Sequence, residues 1–125
     1  MILIFGGAYQ GKLDFAKETF GVADQDVRYC EENQDLDLSG KVICHMEKLF
    51  LALSKAGIEP KDFLDTHRET LADKILIVDD ISQGVVPLDF QLRAWREATG
   101  RAMLYLTKEA NQVYRVFCGI GQQIK

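Results

Sequence analysis

The chain has 125 residues, enough for one domain with its own core and too few for a second domain. Its 47% hydrophobic and 27% charged content is typical of a soluble globular protein, and the net charge of -4 disfavours binding to nucleic acid. No apolar stretch is long enough to span a bilayer, so we expect a cytoplasmic protein without membrane contact. Cys30, Cys44 and Cys118 lack metal-ligand spacing and are expected to be buried, reduced thiols.

The chain opens with an apolar strand from Met1 to Phe5, followed by a glycine-rich loop and a helix. Gly6, Gly11 and Lys12 have the spacing Gly-x-x-x-x-Gly-Lys, typical of loops whose backbone N–H groups surround a phosphate. The helix N-terminus and the lysine ammonium favour the same anion. We predict nucleotide binding here, against the alternative of a tight glycine turn. The predicted phosphate-binding residues are Gly6, Gly7, Ala8, Tyr9, Gln10, Gly11, Lys12 and Leu13.

The position after Lys12, where this motif has Ser or Thr, is occupied by Leu13. A leucine side chain has no lone pair to offer a magnesium ion. The sequence therefore predicts a phosphate-binding loop that lacks its usual metal-binding hydroxyl.

Strands and helices alternate along the rest of the chain. Further strands are predicted at 27–30, 41–44, 75–80 and 113–118, and helices at 13–20, 60–71 and 88–109 and from Met46 to the residue before Gly57. The chain ends after Cys118 in a glycine-spaced tail, GIGQQIK, to which no strand or helix is assigned. Because parallel strands need crossover helices, we predict a three-layer α/β/α sandwich with a mainly parallel sheet, P-loop NTPase-like, as a single domain over 1–125. The ligand is expected at the carboxyl ends of the strands.

The strand at 75–80 consists of four aliphatic residues followed by Asp79 and Asp80. Such a run is typical of a strand that is buried on both faces and whose carboxyl end reaches a site. The alternative is that the two carboxylates only cap a turn. On the last helix, Trp95 is predicted to be a core residue and Gly100 a close-packing glycine.

Four motifs, GGAYQGK, VDDISQGVVP, LRAWREATGR and FCGIGQQIK, together resemble the adenosylcobinamide kinase / adenosylcobinamide-phosphate guanylyltransferase family, which has a P-loop fold. They cover about half of the chain in the family's order. The matching residues are Gly6, Gly7, Ala8, Gly11 and Lys12 in the loop, Gly84, Val86 and Pro87 in the turn, Arg96, Gly100 and Arg101 in the helix, and Gly119, Ile120 and Ile124 in the tail.

The resemblance implies transfer of a phosphoryl group from ATP or GTP to a hydroxyl of cobinamide, in cobalamin biosynthesis or corrinoid salvage. By this resemblance Lys12 would act on the phosphates, and Asp80 would hold Mg²⁺ or the acceptor. Contacts to the acceptor or to a second nucleotide are implied for Asp79, Gly84, Pro87, Arg96 and Arg101.

The chain also departs from the family pattern. The segment that carries the family's guanylylated histidine is missing, and His45 and His67 are expected to be structural, so we expect the guanylyltransferase activity to be lost. Cys44 stands where the family has a metal-facing carboxylate, and Asp79 and Asp80 stand where it has Asn-Glu. Three hypotheses follow: a reduced kinase, an inactive nucleotide-binding relative that regulates or scaffolds, and a structural partner whose loop has decayed.

Self-association is the last expectation. Phe90, Met103 and Tyr105 lie off the apolar stripe of the long helix, and the strand from Val113 to Cys118 is too apolar for an open sheet edge. A closed homo-oligomer would cover such patches, and the family resemblance implies a trimer.

Overall fold

The computed structural model describes residues 1–82 and 88–125, which form six strands and five α-helices. The strands are β1 (Ile2–Gly6), β2 (Val27–Tyr29), β3 (Val42–Cys44), β4 (Ile75–Asp79), β5 (Gln112–Phe117) and β6 (Ile120–Gln123). The helices are α1 (Lys12–Phe20), α2 (Met46–Lys55), α3 (Pro60–Thr66), α4 (Arg68–Leu71) and α5 (Phe90–Glu109). None of these helices combines the length and the apolar composition that crossing a bilayer requires.

The strands form one sheet in the order β2-β3-β4-β1-β5-β6. In this order, the neighbouring strands β2, β3, β4, β1 and β5 all pair in parallel, and β6 pairs antiparallel with β5. In the central pair, Gly6 at the end of β1 lies opposite Asp79 at the end of β4. The predicted α/β class and the mainly parallel sheet are confirmed.

The glycine-spaced tail contains a strand that was not predicted, because residues 120–123 form β6. The turn before β6 consists of Cys118 and Gly119, whose φ angles are 50° and 78°. Two positive φ angles in succession are the geometry of a type I′ hairpin turn, which asks for residues such as Asn and Gly. Because a cysteine occupies the first position, the usual hairpin signal is absent from the sequence.

Helices cover both faces of the sheet. On one face, Ala16 of α1 packs with Ile4 and Ile77; on the other, Phe50 of α2 and Leu106 of α5 belong to the cluster that buries the alternate strand residues. A parallel sheet that is covered on both sides needs aliphatic residues at successive positions. This explains the apolar runs 2–5 in β1 and 75–78 in β4.

Two predicted helices differ from the observed ones. The segment 60–71 is divided into α3 and α4 at His67, whose ring stacks on Phe63 and whose Nδ1 lies 2.9 Å from the Phe63 carbonyl oxygen. The helix predicted from Leu88 begins at Phe90, where the Asp89 carboxylate accepts a hydrogen bond from the Leu92 N–H at 3.0 Å. An N-terminal cap of this kind fixes where a helix starts.

The apolar surface also differs from the expectation. Phe90 is exposed, whereas Met103 and Tyr105 are half-buried against the core. The strand β5 was expected to need cover, and β6 of the same chain pairs with it, so this strand by itself gives no reason for a second copy. The edge that remains exposes Phe117 and Ile120. The homo-oligomer stays a prediction.

The expectation that Gly100 packs closely was wrong. A Cβ built on Gly100 would have no neighbouring atom within 4 Å, whereas one on Gly121 would come within 2.1 Å of the Phe15 ring.

Glycine in an exposed helix interior costs about 0.5–1 kcal/mol relative to alanine, so Gly100→Ala should stabilise the chain by about that amount. The matched variant Gly121→Ala should destabilise it, because the new methyl group collides with the ring of Phe15. Urea unfolding followed by circular dichroism measures both. A loss of stability in Gly100→Ala would show that α5 needs this glycine for packing.

Candidate functional site

A cleft opens where the carboxyl ends of β1 and β4 lie side by side. The chain leaves β1 towards α1 on one face of the sheet, and α5, the helix that follows β4, packs on the other face. Such a divergence between neighbouring parallel strands is where ligands of open α/β sheets bind. The cleft has a volume of about 440 Å³. It is lined by Ala8, Tyr9, Gln10, Gly11, Lys12, Leu13, Asp14, Tyr29, Cys44, His45, Lys48, Ile77 and Asp79.

The two motif glycines are required by the backbone of the loop. A Cβ on Gly6 would lie 2.4 Å from the carbonyl oxygen of Val116, so any side chain would push β1 away from β5. Gly11 has φ +87°, a left-handed conformation in which it caps the N-terminus of α1. Tyr9, at φ +59°, extends fully exposed from the loop. The sequence therefore dictates the shape of this loop through its glycines.

The loop is held in place by the turn between β5 and β6. The backbone carbonyl of Gln10 accepts a hydrogen bond from the Gly119 N–H at 2.8 Å, and its side-chain oxygen accepts one from the Cys118 N–H at 2.6 Å. The loop and this turn are more than 100 residues apart in the chain. Sequence reasoning missed the role of Gln10, because it depends on the unpredicted β6.

Lys12 is the first residue of α1 and is 6% exposed. Its ammonium lies 2.6 Å from the Asp79 carboxylate and donates a hydrogen bond to the Gly7 carbonyl, also at 2.6 Å. The structure thus brings the loop lysine and the end of β4 together, and the lysine's charge is held at the mouth of the loop.

Asp80 points to a different region from Asp79. Its carboxylate accepts hydrogen bonds from the Ser82 N–H at 2.9 Å and the Ser82 hydroxyl at 2.5 Å, and it lines pockets beside the loop cleft. Successive residues of a strand face opposite sides of the sheet. Ile77 lies on the α1 face and Val78 on the α5 face, so Asp79 follows Ile77 towards Lys12.

The remaining predicted residues are dispersed. Leu13 is half-buried in the apolar cluster under α1. Arg96 donates to the Ser82 carbonyl beside Asp80, and Arg101 pairs at 2.8 Å with Glu59, at the N-terminus of α3. Gly84 and Pro87 lie outside the described residues.

His45 and Glu47 are the site residues that sequence reasoning missed. His45 is the residue between β3 and α2, and its φ angle is +59°. Its Nδ1 lies 3.1 Å from Glu47 Oε2 and 3.9 Å from Asp79 Oδ2. Glu47 is 5% exposed, and its Oε1 accepts a hydrogen bond from the Asp79 N–H at 2.9 Å. The expectation that His45 is only structural overlooked this position in the cleft. A glutamate on the apolar side of a helix that follows a strand was the available signal.

Two positions that would support Mg²⁺, Leu13 in the loop motif and Cys44 in the family pattern, do not fit that ion. Leu13 and Cys44 offer no oxygen, and burial, followed by the nearby Cys30 and Glu47, raises the pKa of the Cys44 thiol to about 12. Cys44 is therefore a neutral thiol at physiological pH and does not replace a carboxylate. In the described part of the chain, His45, Glu47 and Asp79 form the one group of three possible metal ligands, with ligand atoms within 4.8 Å of one another.

No protein-family model matches the sequence, and it has no significant match among the curated proteins. The fold is an α/β fold with a mostly parallel sheet, and the site is a glycine-rich loop and helix N-terminus with a buried lysine. The resemblance to cobinamide kinases therefore rests on the four sequence motifs.

The cysteines give a test of the site's burial. Cys118 was expected to be buried but is exposed in the β5–β6 turn, while Cys30 and Cys44 are buried and have pKa values raised to about 12, chiefly by desolvation. Iodoacetamide at pH 8 should modify Cys118 alone in the folded chain and all three cysteines after denaturation. Intact-mass measurement checks this, with Cys118→Ser as the unreactive control. Native modification of Cys118→Ser would contradict the burial of the other two thiols.

Proposed function

We propose that the chain binds a nucleoside triphosphate, ATP or GTP, with its outer phosphates in the loop formed by residues 6–12. The observation that carries this proposal is the position of Lys12. It begins α1, is buried, and holds its ammonium between the Gly7 carbonyl and Asp79 at the rim of the cleft. Burying the Lys12 ammonium costs desolvation free energy. Charge-assisted hydrogen bonds from this ammonium to a bound phosphate would offset that cost.

The helix and a second cation support the same ligand. The first N–H groups of α1 have no partner within the helix, and the helix dipole adds partial positive charge at that end. Lys48 of α2 also lines the cleft. A bound phosphate would compete with Asp79 for the Lys12 ammonium, so affinity should depend on what else neutralises that carboxylate.

For the reaction, we propose a kinase of the adenosylcobinamide type, which transfers the terminal phosphoryl group to a cobinamide hydroxyl. The sequence motifs support this assignment. Asp79, which contacts Lys12, is better placed than Asp80 to act at the phosphates. The corrinoid substrate and the loss of guanylyltransferase activity are both inferred from the resemblance to that family.

The second candidate is a nucleotide-binding relative without turnover. Leu13 packs in the core under α1, and Cys44 is a neutral thiol, so two supports of the usual metal are absent at these positions. If each were worth ~3 kcal/mol in the transition state, its loss would slow transfer on the order of a hundredfold. Release of ADP or GDP that depends on cobinamide distinguishes a kinase from this candidate.

Lys12→Ala should weaken ATP and GTP binding at least about tenfold, because it removes a charge-assisted contact to phosphate. Isothermal titration calorimetry measures the dissociation constants. The matched control is Lys17→Ala, which removes a lysine from the same helix that pairs with Asp24 away from the loop. Circular dichroism checks that Lys12→Ala is folded. An unchanged dissociation constant for ATP and GTP in folded Lys12→Ala would refute the proposal.

No covalent guanylate should form when the chain is incubated with GTP, because the segment of the family's nucleophilic histidine is missing. Intact-mass analysis after incubation decides this. His45 lies in the cleft, so His45→Ala is the control variant. A stable mass increase of one GMP that disappears in His45→Ala would show that the chain keeps a guanylylated histidine at a new position.

A further inference from the structure

We propose that His45, Glu47 and Asp79 form a binding site for a divalent first-row transition-metal ion. The site lies next to Lys12 at the carboxyl ends of β3 and β4. One imidazole nitrogen and two carboxylate oxygens suit Mn²⁺ and its neighbours in the series, whereas Mg²⁺ prefers oxygen ligands alone.

The three ligand atoms lie within 4.8 Å of one another, and two of their separations are close to those expected around one ion. His45 Nδ1 lies 3.1 Å from Glu47 Oε2 and 3.9 Å from Asp79 Oδ2. Two atoms that bind the same ion at about 2.1 Å lie roughly 3.0–3.4 Å apart. The first separation already has this value, and the second reaches it if the Asp79 carboxylate shifts by less than about 1 Å, as its single short side chain permits.

In each carboxylate, one oxygen is fixed by a protein donor and the other faces the histidine. Glu47 Oε1 accepts from the Asp79 N–H at 2.9 Å, while Oε2 faces His45. Asp79 Oδ1 pairs with Lys12 at 2.6 Å, while Oδ2 is the oxygen nearer to His45. Donors that orient one oxygen of a ligand carboxylate are the usual outer shell of a metal site. Lys12 can therefore keep its contact when the metal is bound.

A buried hydrogen bond and a defined backbone conformation hold Glu47 and His45 in position. Glu47 is 5% exposed, and its backbone carbonyl accepts a hydrogen bond from the Trp95 indole N–H at 2.9 Å, which ties α2 to α5. His45 has a left-handed backbone, with φ 59° and ψ 45°, which directs its ring towards the cleft. A left-handed conformation is uncommon for a residue other than glycine and points to a functional constraint.

The charges also favour a cation. The group contains two carboxylates, those of Glu47 and Asp79, and the Lys12 ammonium pairs with Asp79. Glu47 is almost fully buried, so a cation bound between the carboxylates would compensate for its desolvation. The competing explanation is a metal-free hydrogen bond from His45 Nδ1–H to Glu47.

Metal binding by these three residues does not depend on a bound nucleotide. A metal at this place would neutralise Asp79 and face the outer phosphates, where the loop motif lacks its hydroxyl at Leu13. That second role rests on the proposed function, whereas metal binding itself is tested without any nucleotide.

The test is a titration of the full chain with Mn²⁺ alone, in which electron paramagnetic resonance measures the free ion. Mn²⁺ is chosen because thiols compete for it poorly, so the cysteines do not interfere. We expect about one saturable ion per chain, and Mg²⁺ should compete at least about tenfold more weakly because it disfavours the imidazole nitrogen. His45→Ala and Glu47→Gln should each weaken Mn²⁺ binding at least about tenfold.

His67→Ala is the matched control, because this histidine stacks on Phe63 in α3, and it should bind Mn²⁺ like the unchanged chain. Glu47→Gln keeps an acceptor for the Asp79 N–H, and thermal unfolding checks that both site variants fold. Absence of saturable Mn²⁺ binding, or unchanged binding in folded His45→Ala, overturns the inference. Mn²⁺ binding by a chain that binds no nucleotide would support the metal site while refuting the proposed function.

Discussion

The ion pair between Lys12 and Asp79 joins the two central strands at the site. It forms because Gly6 and Asp79 end their strands in register, and the loop between Gly6 and Lys12 returns the ammonium to the end of the neighbouring strand. Both partners are largely buried, so removing one leaves an uncompensated charge that costs about 3–5 kcal/mol. This contact therefore joins the start of α1 to the end of β4, while the hydrogen bonds of Gln10 hold the loop against the turn between β5 and β6.

Asp79 also links that contact to the rest of the cleft. Its backbone N–H donates to Glu47, and its second carboxylate oxygen faces His45. Asp79 thus pairs with the lysine through its side chain, orients the glutamate through its backbone N–H, and completes the proposed ligand set with its second carboxylate oxygen. A phosphate that displaced Lys12 from Asp79 would leave this carboxylate in need of a cation, and a metal held by His45 and Glu47 would supply it. The two proposals are physically coupled through Asp79, although each has its own test.

The sequence by itself determined the class of fold and the position of the loop. Apolar runs at 2–5 and 75–78 indicate strands covered on both sides, and apolar positions at helical spacing indicate the helices between them, because these periods are local properties of the chain. Gly11 could be assigned to a tight loop for the same reason, since its left-handed backbone at the start of α1 is a local requirement, whereas the reason for Gly6 is its contact with the distant Val116 carbonyl. The glycine that sequence reasoning misjudged, Gly100, is one whose role depends on distant neighbours.

Only the tertiary structure decided which polar residues meet. Asp79 rather than Asp80 reaches Lys12 because alternate residues of β4 face opposite sides of the sheet, and no local pattern says which side holds the loop. His45 and Glu47 join the site because β3 pairs beside β4, which is a long-range register. The sequence determines the conformation of each segment through local periodicity and glycine geometry, whereas the composition of the cleft depends on pairings between strands that are far apart in the chain.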